Sequence, residues 1–186
     1  MEKKLVQQYP HIRRVVLMGP ESTGKSTLAK KLAEKFQTNH VCEHMRTYLE
    51  KKWEESKELC EENDLQPIVE GQVATENEAA STANQVIFCD TNALQNLIYA
   101  KEYYPDFHNK VVNYCVENHH YDLYLLCNID VPWEEDILRD KPHEREKMFR
   151  IFVEWLEKLD INYHIVSGSI SERMELTVPL VRELLK

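Results

Sequence analysis

The sequence predicts an α/β fold in which a parallel sheet of about five strands is covered by helices on both faces. Three observations carry this expectation. Short apolar runs at residues 15–18, 41–42, 86–89, 123–127 and 163–166 have the length and composition of buried strands. Amphipathic helical patterns lie between them, and parallel neighbours need such crossover helices. A phosphate-loop motif joins the first apolar run to the first helix.

Taken in order, the run at 15–18 leads into Gly19-Pro20-Glu21-Ser22-Thr23-Gly24-Lys25-Ser26, which fits G-x-x-x-x-G-K-[ST] without a gap. Glycines let such a loop turn its N–H groups toward phosphates, and the helix that follows adds partial positive charge. Lys25 is expected to reach the β- and γ-phosphates of ATP, Ser26 to ligate Mg²⁺, and Thr27 to hold the loop or an α-phosphate. In the helix behind the loop, Leu28, Ala29, Leu32, Ala33 and Phe36 share one face. Glu43 is read as ending a short second strand, across the cleft from the loop. Arg46, one turn later, shares its face, so the two serve either a substrate or a surface ion pair with each other. Tyr48 and Trp53 on the same helix are read mainly as packing residues, and Glu61-Glu62-Asn63-Asp64 before Gln66-Pro67 as a surface loop between helices.

The third strand ends on Asp90. A carboxylate there can hold Mg²⁺ or accept a substrate proton, and it can also cap the helix starting near Asn92. Tyr103-Tyr104-Pro105 reads as a helix end and His119-His120 as a surface turn. After the fourth strand, a charged segment carries Trp133, Arg139 and Arg145. It is expected to form a lid over about residues 132–147 whose arginines meet the transferring phosphoryl group, while Trp133 either stacks on a base or anchors the loop. A helix with Met148, Phe152, Trp155 and Leu159 on one face follows, then the fifth strand. The final helix over residues 171–186 contains Pro179, which predicts a kink or a late start.

Composition narrows the function classes. A chain of 186 residues with no repeat and four glycines reads as one domain over residues 1–186. A net charge of −9 argues against a general nucleic-acid surface. No apolar stretch approaches a membrane span, and the opening Met1-Glu2-Lys3-Lys4-Leu5 leads into Gln7-Gln8 and not into an apolar signal segment, so no membrane role and a cytoplasmic location are expected. Five cysteines without a C-x-x-C pair read as reduced thiols.

With these residues in place, the chain resembles the ribosylnicotinamide kinase domain of NadR-type proteins and their stand-alone bacterial relatives. The resemblance rests on residues 19–27, on Glu43-His44-Met45-Arg46, which is similar to the family's E-x-x-R, and on Phe88-Cys89-Asp90-Thr91. It continues through Asp122-Leu123-Tyr124-Leu125-Leu126 to Asp130-Val131-Pro132-Trp133 and Leu138-Arg139. It implies a three-layer P-loop nucleoside-kinase-like fold with a helical lid, ATP and Mg²⁺ as cofactors, and transfer of a phosphoryl group to the 5′-hydroxyl of ribosylnicotinamide. The chain departs from the family pattern at Asn92 and Thr47. Another nucleoside or small metabolite as acceptor, and a non-catalytic ATP-binding regulator, are the alternatives the residues leave open.

Overall fold

The computed structural model describes residues 5–134 and 143–186. Five parallel strands, β1 (Arg13–Met18), β2 (His40–Val41), β3 (Val86–Asp90), β4 (Leu123–Cys127) and β5 (Tyr163–Val166), form one sheet in the order β2-β3-β1-β4-β5. The connecting helices are α1 (Lys25–Phe36), α2 (His44–Ser56), α3 (Leu65–Ser81), α4 (Ala93–Tyr103), α5 (Lys110–Asn118), α6 (Arg145–Lys158) and α7 (Ile170–Leu184). No described helix is long and apolar enough to cross a membrane.

Side chains alternate across each strand, and the alternation builds the three layers. Val15 and Leu17, Val86 and Phe88, Leu125 and Cys127 pack with Leu28 and Leu32 of α1 and Val181 of α7. On the opposite face Val16 and Met18, Ile87 and Cys89, and Leu126 meet Ala80 of α3, Leu94 and Ile98 of α4, and Met148, Phe152 and Leu156 of α6. A third cluster joins α3, α4 and α5 through Leu65, Val69, Ala93, Leu97, Val111 and Cys115. The predicted apolar face of α6 is corrected at its last member: Leu156 is buried, whereas Leu159 is 40% exposed.

Three further expectations shift. β1 begins at Arg13, because Arg13 pairs with Asp122 at 2.8 Å and the buried Arg14 guanidinium finds the carbonyls of Ile12 and Gln8. β2 is His40–Val41, so Glu43 lies beyond the strand and is the residue preceding the first turn of α2. α7 starts at Ile170 on a Ser169/Glu172 capping box and runs through Pro179. The carbonyl that Pro179 leaves without an N–H belongs to Glu175, and both residues are on the exposed face.

Behind β1 and β3 lies a buried polar knot. Glu76 of α3 accepts hydrogen bonds from the Tyr121 hydroxyl at 2.9 Å and from Gln72 Nε2 at 3.2 Å. Burial pushes its carboxyl up to about 7, against the opposing pull of Gln72, Tyr121 and the Arg14 charge. A folded state that binds this proton more tightly than the unfolded chain has the full contribution below about pH 4.5 and loses it as pH rises through about 7. Glu76→Gln, which retains the shape and removes the buried charge, is therefore expected to raise stability at about pH 8 by at most about 3 kcal/mol, with the two proteins converging near pH 5. Chemical denaturation at both pH values checks this. An equal or lower stability of the variant at the higher pH contradicts it.

Candidate active site

The parallel register fixes where the chemistry collects. Leu17 of β1 lies opposite Asp90 of β3, so the loop leaving β1 starts beside the carboxylate that ends β3. In the sheet β1 is flanked by β3 on one side and β4 on the other, and the crevice at the carboxyl ends of such strands is where ligands bind in open α/β sheets. A cleft of about 1230 Å³ occupies this place.

Residues 19–26 wrap the start of α1. Gly19 has φ +132°, and a side chain there would meet the Cys127 carbonyl oxygen at 2.7 Å, so only glycine lets the loop leave the sheet this closely. Gly24, at φ +79°, precedes the first turn of α1, and Ser22 is also left-handed, at φ +53°. The Thr23 hydroxyl donates to the Pro20 carbonyl at 2.8 Å and stiffens the turn from within. Lys25 is 8% exposed, and its ammonium donates to the carbonyls of Gly19 at 2.9 Å and Pro20 at 2.7 Å. An ammonium has three donors, so one donor and the full charge are available toward the cleft, which Lys25 lines together with Glu21, Ser22, Thr23, Gly24, Ser26 and Thr27.

Two carboxyls face this loop. Asp90 is 2% exposed; its Oδ2 accepts from the Ser26 hydroxyl, while its Oδ1 is buried with no hydrogen-bond partner. A buried orphan carboxylate oxygen beside a hydroxyl is a donor set suited to a hard cation such as Mg²⁺. Asp90 does not cap the following helix: the Asn92 side chain does so, accepting from Gln95 N at 3.1 Å. Asn92 is thereby assigned to the scaffold, and it is absent from the cleft wall, which Thr47 lines. Burial raises the Asp90 carboxyl above the ordinary range, opposed chiefly by Lys25 and the Ser26 hydrogen bond. Burial and then the Asp90 charge push Glu43 up to about 7, with Lys25 and Arg46 pulling the other way. Glu43 and Asp90 thus sit close enough to feel each other, with Lys25 between their demands. Arg46 also lines the cleft, and its Nε pairs with Glu50 at 3.0 Å, so the surface pairing foreseen with Glu43 is formed with Glu50.

Beyond the phosphate loop the cleft is lined by Met45, Leu49, Leu65, Tyr103 and Tyr104, an apolar and aromatic wall suited to a flat ring, while Tyr99 lies at the loop itself, beside the Glu21 backbone. Trp133 is not part of that lining; its ring lies 5.7 Å from the Arg145 guanidinium. Arg145 begins α6 and donates to the carbonyls of Ser22 at 3.1 Å and Val131 at 3.0 Å, bracing the phosphate loop. Arg139, expected in the lid, lies outside the described residues.

Two contributors carry no local sequence signal. Gln95 accepts from Gly19 N at 3.2 Å. Arg173 of α7, 2% exposed, binds the Thr23 carbonyl, the Gly168 carbonyl at 2.9 Å and the Asp130 carboxylate, and so ties the phosphate loop to the ends of β4 and β5. Burial alone would raise the Asp130 carboxyl, but the Gly168 N–H and Arg173 outweigh it and hold it low.

The chain is 29% identical over 177 residues to the trifunctional NAD biosynthesis/regulator protein NadR of Escherichia coli K12, covering 94% of this chain and 43% of that protein, so it spans less than half of its relative. A crystal structure of NadR protein in complex with NR superposes with a TM-score of 0.72 at 25% identity, over 86% of this chain and 44% of the other. Deoxyadenosine kinase from M. mycoides has the same fold, with a TM-score of 0.65 at 14% identity over 91% of this chain and 99% of that one. The architecture is a P-loop nucleoside-kinase fold. The family described as AAA domain matches residues 14–173, and with nearly the whole sheet and the phosphate loop inside that match, the chain belongs to this family.

Proposed function

We propose that the chain is an ATP-dependent kinase that phosphorylates the 5′-hydroxyl of ribosylnicotinamide to give nicotinamide mononucleotide. The observation that carries the reading is the single cleft in which Lys25 and Ser26, the Glu43 and Asp90 carboxyls, and an aromatic acceptor wall come together. A solved relative of the same fold in complex with NR supports the acceptor class. In the reaction the acceptor oxygen forms a bond to the γ-phosphorus and the bond from that phosphorus to the β,γ-bridging oxygen breaks. The hydroxyl proton passes to a carboxylate and ADP leaves.

Lys25 holds the β- and γ-phosphates, and the first turn of α1 adds its partial positive charge. Ser26 and Asp90 would hold Mg²⁺, which supplies charge neutralisation to the phosphates when bound. Glu43 accepts the hydrogen bond of the 5′-hydroxyl and aligns its oxygen, a role that needs an acceptor near the phosphates and little basicity, because the transition state is loose. The aromatic wall with Tyr103 and Tyr104 covers the base, and the negative face of an aromatic ring favours a cationic pyridinium over a neutral base.

A panel of ribosylnicotinamide, adenosine, cytidine, uridine and deoxyadenosine with Mg-ATP, read by ADP release and product mass, tests the reading. The kcat/KM for ribosylnicotinamide is expected to exceed that of each ordinary nucleoside by at least about tenfold, the discrimination that about 1.4 kcal/mol provides. Preference for an ordinary nucleoside overturns the acceptor. ATP binding without turnover on any acceptor favours the regulator.

A further inference from the structure

Glu43 stands at the N-cap position of α2, yet its side chain makes no capping bond and lines the cleft. The amide of the next residue, His44, donates instead to Gln72 Oε1 at 3.0 Å, across from α3. The other end of the same amide, Gln72 Nε2, donates to the Thr91 carbonyl at 3.5 Å and to Glu76 Oε1 at 3.2 Å. Gln72 is 2% exposed and is not part of the cleft wall. One buried side chain therefore touches the backbone immediately after each of the two carboxyl residues.

The partners fix the orientation of that amide: the His44 N–H requires an acceptor, and the Thr91 carbonyl and Glu76 carboxyl require donors. The Thr91 end needs holding. Thr91 is a β-branched residue at φ +70°, 1% exposed, and the turn it makes sends Asp90 toward the phosphate loop and Asn92 into its cap. Its N–H is held by the Leu17 carbonyl at 3.1 Å and its carbonyl by Gln72. At the other end, α3 presses on the first turn of α2 without slack, since a side chain at Gly71 would come within 1.9 Å of His44 Nε2.

We infer that Gln72 is a positioning residue for phosphoryl transfer: by bonding the backbone that follows Glu43 and the backbone that follows Asp90, it sets the separation of the two carboxyls. The inference rests on the kinase reading above. Gln72→Met keeps the length and removes all three bonds, whereas Gln72→Glu keeps an acceptor for His44 and removes the donors to Thr91 and Glu76. Because a displacement of about 1 Å in a reacting constellation costs up to about 10²-fold, kcat is expected to fall about 10- to 100-fold in Gln72→Met and in Gln72→Glu. KM for Mg-ATP should change less than kcat, since Lys25 keeps its loop bonds and the Thr91 N–H beside Asp90 keeps its bond to the Leu17 carbonyl. Hydrogen exchange gives a readout independent of turnover: the His44 amide should exchange at least about tenfold faster in Gln72→Met than in wild type, with Val181 in α7 unchanged.

The outcomes separate cleanly. A wild-type protein that phosphorylates no acceptor ends the kinase reading, while the exchange result still reports on the bond. An active wild type with both variants at full kcat, an unchanged His44 exchange rate, or a parallel rise in KM for Mg-ATP overturns the positioning role. If both variants are recovered unfolded, Gln72 is a structural residue and the inference fails.

Discussion

Replacing Lys25 by alanine is expected to lower kcat by about 10²- to 10³-fold, the range for deleting one preorganised donor aimed at developing charge. The geometry argues for a loss in rate greater than the loss in binding. Two of the three ammonium donors already hold the Gly19 and Pro20 carbonyls, so the side chain is fixed before any phosphate arrives, and the remaining donor costs no reorganisation when charge moves to the bridging oxygen. The same two bonds give the variant a second phenotype. Without them the loop carbonyls lose a buried partner, a cost of about 1–3 kcal/mol, while the sheet behind the loop keeps its packing. Circular dichroism should remain that of the wild type, with a modestly lower Tm. Turnover at the wild-type level in a folded Lys25→Ala protein would remove the loop from the mechanism.

The legible parts of this fold are those whose cause is local. β4 and β5 run over the residues their apolar composition marks, although β5 is an edge strand that leaves His164 and Ile165 exposed. The start of β1 was hidden by Arg13 and Arg14, whose charges argue against a strand until their partners, Asp122 and the carbonyls of Ile12 and Gln8, are brought in by folding. The second strand slid by one residue for a related reason: two residues of ladder carry too little pattern to set a boundary. Pro179 does not delay the start of α7. Its cost in a helix interior falls when the freed carbonyl faces water, and burial, unlike sequence, shows that face.

The site divides along the same line. The phosphate loop is contiguous, and its spacing states its own chemistry; Asp90 follows from a strand that must end somewhere polar. Arg173 and Gln95 could not be read in this way, because their partners Thr23 and Gly19 lie 150 and 76 positions away, and neither residue carries a spacing that points there. Gln72 reaches the His44 amide across 28 positions and looks in sequence like any polar residue of an amphipathic helix. Trp133 was readable only as an aromatic with two fates, and the Arg145 guanidinium beside its ring is a fact of the folded loop. Long-range hydrogen bonds, more than core packing, separate what the sequence displays from what the structure adds.

Glu43→Gln is expected to reduce kcat for ribosylnicotinamide by about 10²- to 10⁴-fold, the usual range for a positioned acid–base group, with Mg-ATP affinity preserved. The separation of effects follows from where Glu43 sits. It is reached through α2, which packs on α3 and carries none of the phosphate contacts, so its carboxamide leaves Lys25, Ser26 and the start of α1 in place. A carboxamide of the same shape can still accept one hydrogen bond, but it has no charge to stabilise a proton leaving the acceptor oxygen, and it removes the repulsion with Asp90 that burial has left expensive. For that second reason the variant should melt no lower than wild type near pH 8, even as it loses activity, a combination that a merely damaged fold cannot produce. Calorimetric titration with Mg-AMP-PNP, thermal melts and steady-state rates on one preparation check all three together. A Glu43→Gln protein with wild-type kcat returns the proton-accepting role to Asp90, and one that also fails to bind the nucleotide places Glu43 in the phosphate site instead of the acceptor site.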